Sequence, residues 1–243
     1  MRLKITLNMN GISLPYAYSR GIQAFLYSSL SAGHAKQMHD NNNGIIKPFT
    51  FSNLQGVFKT EKNQIVFPNT AVLYVSSTDI SFLESIFQRI TKNGKIDIFG
   101  NYIPVIEALG IDNPVLNGSI AYRTISPVTI YTTDAEERRF YSPDEDIFSD
   151  LIFQNVRHKY EQYTGEKMTA YFNLYMPEHI KKRVCSYKGI KYTAYDFSMK
   201  IDTEPAIHSL LLDLGIGSRN AAGFGMLETK SSTHGGMYPA IRT

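Results

Sequence analysis

Tryptophan is absent from this 243-residue chain, and cysteine occurs once, at Cys185. A lone thiol excludes an internal disulfide and leaves no cysteine cluster at metal-site spacings, and no metal or cofactor is among the expectations for this chain. A reducing compartment follows, and the cytoplasm is the expected location. No run approaches the ~20 apolar residues needed to cross a bilayer, and no basic start followed by an apolar stretch marks a secretory signal. A soluble protein with no membrane association is the expectation. Charge of one sign is also scarce. Twenty-five Lys and Arg against 22 Asp and Glu leave a formal +3, too small an excess to establish a nucleic-acid partner by itself.

What is present is a folded composition, 43% hydrophobic and rich in Tyr (16) and Phe (14). The length fits two domains of about 100 to 120 residues or one larger body. The charge is segregated along the chain. "HIKKRVCSYKGIK" (179–191) carries five Lys or Arg and no acid, whereas "DEDIFSD" (144–150) holds four acids and no base. Such runs are commonly solvated faces, yet this separation also permits one polyanion-facing surface on a nearly neutral protein.

The apolar rhythm repeats. "RLKITLNM" alternates as a half-buried strand, and Ile22, Phe25, Leu26 and Leu30 mark one face of a following helix. Extended segments at 47–58 and 64–77 precede a second helix with Leu83, Ile86, Phe87 and Ile90 inward and Gly94 as its stop. "KIDIFG" then reads as a last strand, giving βαββαβ. From "LNGSIAYRTISPVTIYT" the order begins again: that strand, a helix from about Asp146 to Tyr163, strands at "MTAYFNLYM" and on either side of "YKG", the short helix "PAIHSLLLDLG", and "GFGMLE". The expected fold class is α+β, with tandem ferredoxin-like (βαββαβ) domains and a C-terminal glycine-rich loop. The expected boundaries are 1–117, 118–231 and a loose tail at 232–243. A single mixed α+β domain is the alternative.

That loop, "GIGSRNAAGFG", lacks the Gly-Lys-Ser or Gly-Lys-Thr of a Walker phosphate loop. It follows a helix and leads to a strand, the reverse of a dinucleotide fingerprint. Two readings stay open. Gly215, Gly217, Ser218, Arg219, Asn220, Gly223 and Gly225 can form an anion-binding concavity of exposed backbone donors with Arg219 across a phosphate. Alternatively, the glycines cap a helix and allow close packing beside a bulged strand.

The loop with its continuation, "GIGSRNAAGFGMLE", resembles the glycine-rich signature of the CRISPR-associated endoribonucleases that cut precursor CRISPR RNA within its repeats. "HDNNNGIIKPFTFSNLQG" is similar to that family's N-terminal His, Lys-Pro-Phe and Phe-Ser pattern, and the likeness spans almost the whole chain. The resemblance implies a metal-independent transesterification that leaves a 2′,3′-cyclic phosphate and a 5′-hydroxyl. It implies precursor CRISPR RNA as partner, with an interference complex or a second copy of the chain as further candidates. A noncatalytic repeat-RNA-binding member of such an assembly is the alternative, and a nucleotide-binding regulator a third.

By the same resemblance His39 is the general acid or base, with His34 as rival; Tyr27 orients the 2′-hydroxyl or assists proton transfer; and Lys47 stabilises charge on the scissile phosphate. Read as residues alone, His39 is a loop histidine able to exchange protons near neutrality, Tyr27 a packing aromatic, and Lys47 a solvated charge before a strand. The RNA-holding surface is expected to combine the loop with Lys181, Lys182, Arg183, Lys188 and Lys191, and Arg157, His158 and Lys159 form another candidate rim. Tyr187, Tyr192 and Tyr195 suit base stacking or the core of a sheet.

Overall fold

The computed structural model describes residues 1–30, 46–135 and 137–230. The N-terminal half runs β1 (Arg2–Asn8), β2 (Ser13–Pro15), α1 (Ser19–Ser28), β3 (Phe49–Phe51), β4 (Lys59–Glu61), β5 (Gln64–Val66), β6 (Thr70–Ser77), α2 (Ile80–Asn93), β7 (Lys95–Ile98) and β8 (Asn101–Ile111). Strand β1 alternates as its sequence requires, with Leu3, Ile5 and Leu7 buried, and lies central in an antiparallel sheet of order β3-β6-β1-β8-β7. Both helices set their apolar stripes against that face: Ile22, Phe25 and Leu26 from α1, and Phe82, Leu83, Ile86 and Ile90 from α2. The Asp79 carboxylate accepts from the Phe82 N–H at 3.2 Å, and Gly94 ends α2 in the left-handed region.

Three expectations shift. Phe87 is 39% exposed, and Phe82, five residues earlier, is buried with Leu83 and Ile86 instead. Leu30 packs on the core from beyond the end of α1. "KIDIFG" is the sheet edge, and β8 pairs with β1. The β8 sequence hides its alternation because its apolar residues occupy both faces, Ile103 buried but Tyr102 and Ile106 largely exposed, and Pro104 interrupts the pattern.

The C-terminal half runs β9 (Gly118–Thr124), β10 (Tyr131–Asp134), β11 (Glu137–Phe140), α3 (Ile147–Thr164), β12 (Phe172–Tyr187), β13 (Ile190–Thr203), α4 (Pro205–Leu214), a 3₁₀ turn (Asn220–Ala222) and β14 (Leu227–Thr229). Its sheet order is β12-β13-β9-β14, again antiparallel, over a second core that includes Tyr122, Phe148, Ile152, Val156, Ile201 and Leu211. The strand expected across 116–132 breaks after Thr124, and β10 and β11 form a separate hairpin. Conversely, "MTAYFNLYM" and the segment before "YKG" share one long strand, β12, whose register shifts between Tyr175 and Lys181. The extra hairpin thus precedes α3.

Polar bonds knit the halves together. Gln23 Nε2 donates to the Ala221 carbonyl at 2.6 Å, Ser76 Oγ to the Leu212 carbonyl at 2.9 Å, and the buried Arg2 guanidinium to the Leu227 carbonyl at 2.8 Å. The described residues therefore form an α+β protein of several antiparallel sheets and four α-helices, none of them long and apolar enough to cross a membrane.

Candidate functional site

The glycine-rich loop begins where α4 ends. A Cβ on Gly225 would stand 1.9 Å from the Ile216 carbonyl oxygen, and one on Gly223 would meet the Phe51 ring of the N-terminal half at 2.6 Å; both glycines have positive φ. Ile216 N–H donates to the Gly225 carbonyl and Gly225 N–H to the Pro127 carbonyl, each at 2.9 Å. Asn220 is buried, and its amide bridges the Ile216 and Phe224 carbonyls at 2.9 and 3.0 Å. The close-packing reading therefore describes the backbone. The Ser218 N–H is engaged with the Thr129 carbonyl at 2.7 Å and is not the exposed donor expected of it. What the loop presents outward is the exposed side chain of Arg219, its backbone at φ 62°, beside half-buried Ser218.

Beneath the loop lies Lys159, 1% exposed, donating from Nζ to the Gly215 carbonyl at 2.8 Å and the Gly217 carbonyl at 3.2 Å. Burial lowers its pKa to about 7. In the unfolded chain a lysine titrates near 10.4, so between about pH 7 and 10 the unfolded state holds more protons than the folded one. Stability contributed by this residue is therefore greatest above the unfolded pKa and is lost as pH falls through about 7. Urea denaturation across that window should show stability rising with pH in the wild type and a flattened rise in Lys159→Met. An unchanged slope would contradict the assignment.

The loop, α1 and α3 enclose a cleft of about 760 Å³. Arg20, Gln23, Ala24 and Tyr27 reach it from α1, and Asn155, His158 and Lys159 from α3, both at i, i+3, i+4 spacings. Lys47, Lys188, Tyr131, Tyr187 and the loop residues Gly217, Ser218, Arg219 and Asn220 complete its walls together with Ile46, Ala221 and Ala222. Its lining therefore holds five Lys or Arg and no carboxylate among the described residues.

Tyr27 and Lys47 meet there, the Lys47 Nζ 4.9 Å from the Tyr27 ring centroid. Burial pushes the Tyr27 phenol well above its ordinary range, with Tyr187 adding to the effect, so Tyr27 is protonated at neutral pH. Burial lowers the Lys47 pKa, and the neighbouring Lys188 ammonium lowers it further. Lys47 is also placed from the other half of the chain. Ile46 N–H donates to Gln162 Oε1 at 2.9 Å, Gln162 Nε2 donates to the Ile46 carbonyl at 3.0 Å, and the Tyr163 hydroxyl donates to the same carbonyl.

His39 and its rival His34 lie outside the described residues, as does the tail at 232–243. Of the basic segment only Lys188 lines the cleft. Lys181, Lys182 and Arg183 stand exposed on β12, with Arg183 paired to Asp196 at 2.6 Å, and Lys191 is exposed on β13. Gly215, Gly223 and Gly225 lie buried behind the cleft wall. Tyr187, Tyr192 and Tyr195 are buried, which fits the core reading of these rings. Of the other rim, His158 and Lys159 line the cleft and Arg157 does not. Arg20, Gln23 and Asn155 were not singled out in the sequence, although the 20, 23, 24, 27 spacing is the polar complement of the buried stripe at Ile22, Phe25 and Leu26. Among the described residues no group of three or more His, Cys, Asp or Glu is arranged to hold a metal ion.

The sequence and the fold have relatives. A family model for the C-terminal region of CRISPR associated protein Cas6 matches residues 111–229. CRISPR-associated endoribonuclease Cas6 1 of Methanocaldococcus jannaschii is 25% identical over 238 residues, covering 93% of this chain and 92% of that protein. CRISPR-associated endoribonuclease Cas6 of Pyrococcus furiosus is 19% identical over 90% of this chain and 84% of its own length. A solved structure of a Cas6-related gene product from Pyrococcus furiosus superposes with a TM-score of 0.85 at 16% identity, covering 96% of this chain and 99% of that one, a likeness of fold. The C-terminal part of the chain, residues 111–229, is thus Cas6-like by its family model, and the similarity to Cas6 endoribonucleases runs over almost the whole chain.

Proposed function

We propose that this protein is a metal-independent endoribonuclease that cleaves CRISPR repeat RNA and so matures guide RNAs. The observation that carries the reading is the cleft whose lining, among the described residues, holds five Lys or Arg side chains and no carboxylate, which favours a polyanion over a metal held by acidic ligands. In the proposed step the 2′-oxygen attacks the adjacent phosphorus, the bond from phosphorus to the 5′-oxygen breaks, and a 2′,3′-cyclic phosphate and a 5′-hydroxyl result. One proton leaves the 2′-hydroxyl and one reaches the departing 5′-oxygen, transfers assigned to His39. Tyr27, kept protonated by burial, orients the nucleophile through its hydroxyl. Lys47 stabilises the charge that develops on the phosphate oxygens.

The strand orders support ferredoxin-like halves. Setting aside the edge strand β7, both sheets place the second, third, first and last strands of a βαββαβ unit side by side. In this reading 1–117 carries the reacting groups, and 118–231 supplies α3 and the loop that face them. Lys181, Lys182, Arg183 and Lys191 would then guide RNA outside the cleft, and delivery of the product to an interference complex belongs to the same reading. A single-turnover assay on the protein's own repeat tests it. Product formation at saturating enzyme supports an enzyme, and tight binding with no product establishes a noncatalytic RNA-binding member instead.

A further inference from the structure

We propose that Arg138 and Arg219 form a phosphate-binding site for the RNA strand at the rim of the cleft, mounted on Tyr131 and Tyr192. The inference rests on the RNA-directed reading above and adds a residue, Arg138, from the β10–β11 hairpin. The Arg138 guanidinium carbon lies 5.5 Å from the Tyr131 ring centroid and 5.6 Å from that of Tyr192. Arg219 sits 5.8 Å from the same Tyr192 centroid and donates from Nε to the Tyr131 hydroxyl at 3.0 Å. Two elements far apart in sequence therefore bring their guanidiniums to one aromatic pair.

The platform is fixed. Tyr192 is 1% exposed and packs against Phe140 and Phe224, and Tyr131 lines the cleft. Arg123, Arg139 and Arg183 each have a carboxylate, in Glu228, Glu145 and Asp196. Arg138 and Arg219 have none among the described residues. Like charges gathered on one platform without a counter-ion repel each other, and an anion between them converts that repulsion into attraction. A guanidinium already laid on an aromatic face keeps its planar fork oriented, and that fork matches two phosphate oxygens. Arg219 also has a left-handed backbone that a non-glycine residue seldom adopts, and the turn aims it toward the cleft.

The test is equilibrium binding of the full chain to its own repeat RNA, made uncleavable by a 2′-deoxy substitution at the cut, across a salt series. Arg138→Ala is expected to weaken binding about tenfold and to reduce the slope of log affinity against log salt by about 0.7, the contribution of one phosphate on a single strand. Arg138→Gln keeps most of the stem against the rings and should lose as much, while Arg138→Lys should restore slope more than affinity. Unchanged affinity and slope in both Arg138→Ala and Arg138→Gln overturn the site. Failure of the wild type to bind RNA overturns the site and the functional reading together. Binding that depends on Arg138 without cleavage of the unmodified repeat overturns the nuclease reading alone.

Discussion

Lys47→Ala is expected to slow single-turnover cleavage of the repeat by about 10²–10³-fold, the usual cost of removing one group that stabilises charge in a transition state, while RNA affinity falls less than about tenfold. The asymmetry follows from position. One ammonium among several Lys and Arg side chains of the cleft contributes modestly to holding a polyanion, whereas the group placed beside Tyr27 is assigned to the reacting phosphate. Gln162 sharpens the experiment, because its amide closes a donor-and-acceptor pair on the backbone of Ile46. Gln162→Ala should therefore slow cleavage by a smaller factor, and that factor should disappear in a Lys47→Ala background, since a positioning residue has nothing left to position. Additive losses would assign Gln162 to general stability. Equal rates for Lys47→Ala and wild type would remove Lys47 from the reaction.

Gly225→Ala is expected to lower the unfolding free energy by about 3–5 kcal/mol, enough to remove a large share of a typical domain's stability. Two effects add. A left-handed backbone costs an alanine about 1–2 kcal/mol, and the new Cβ would stand 1.9 Å from the Ile216 carbonyl oxygen, a contact that no rotamer can relieve. Gly165, which caps α3 at φ 74° with open space around its missing Cβ, separates the two contributions. Gly165→Ala should lose only the backbone share, about 1 kcal/mol. Urea denaturation of the two variants measures the difference, and equal losses would show that the close approach at Gly225 contributes nothing.

The same contrast shows what could be read in advance. Helices α1 and α2 and strand β1 are legible because half-burial writes a period into the sequence, as Leu3, Ile5 and Leu7 or Ile22, Phe25 and Leu26 do. Strand β8 escapes that logic because its apolar residues face both sides. The two pieces of β12 look separate because Pro177 and a register shift interrupt a strand that continues. At the site, the convergence of Tyr27 with Lys47 came from family resemblance, since nothing in "FLYSSL" or "IIKPF" encodes their approach. Lys159 illustrates the limit. Its charge suggested a surface rim, yet two carbonyls of the glycine loop give the ammonium a buried seat that only the folded chain creates.

The most direct measurement of the central claim is cleavage of the protein's own repeat RNA in excess chelator, comparing the all-ribose strand with one that carries a single 2′-deoxy nucleotide immediately upstream of the cut. Cleavage of the first to a 2′,3′-cyclic end, with none of the second, is the expected result. Dependence on added magnesium, or cleavage of the deoxy-substituted strand at the same bond, would contradict it.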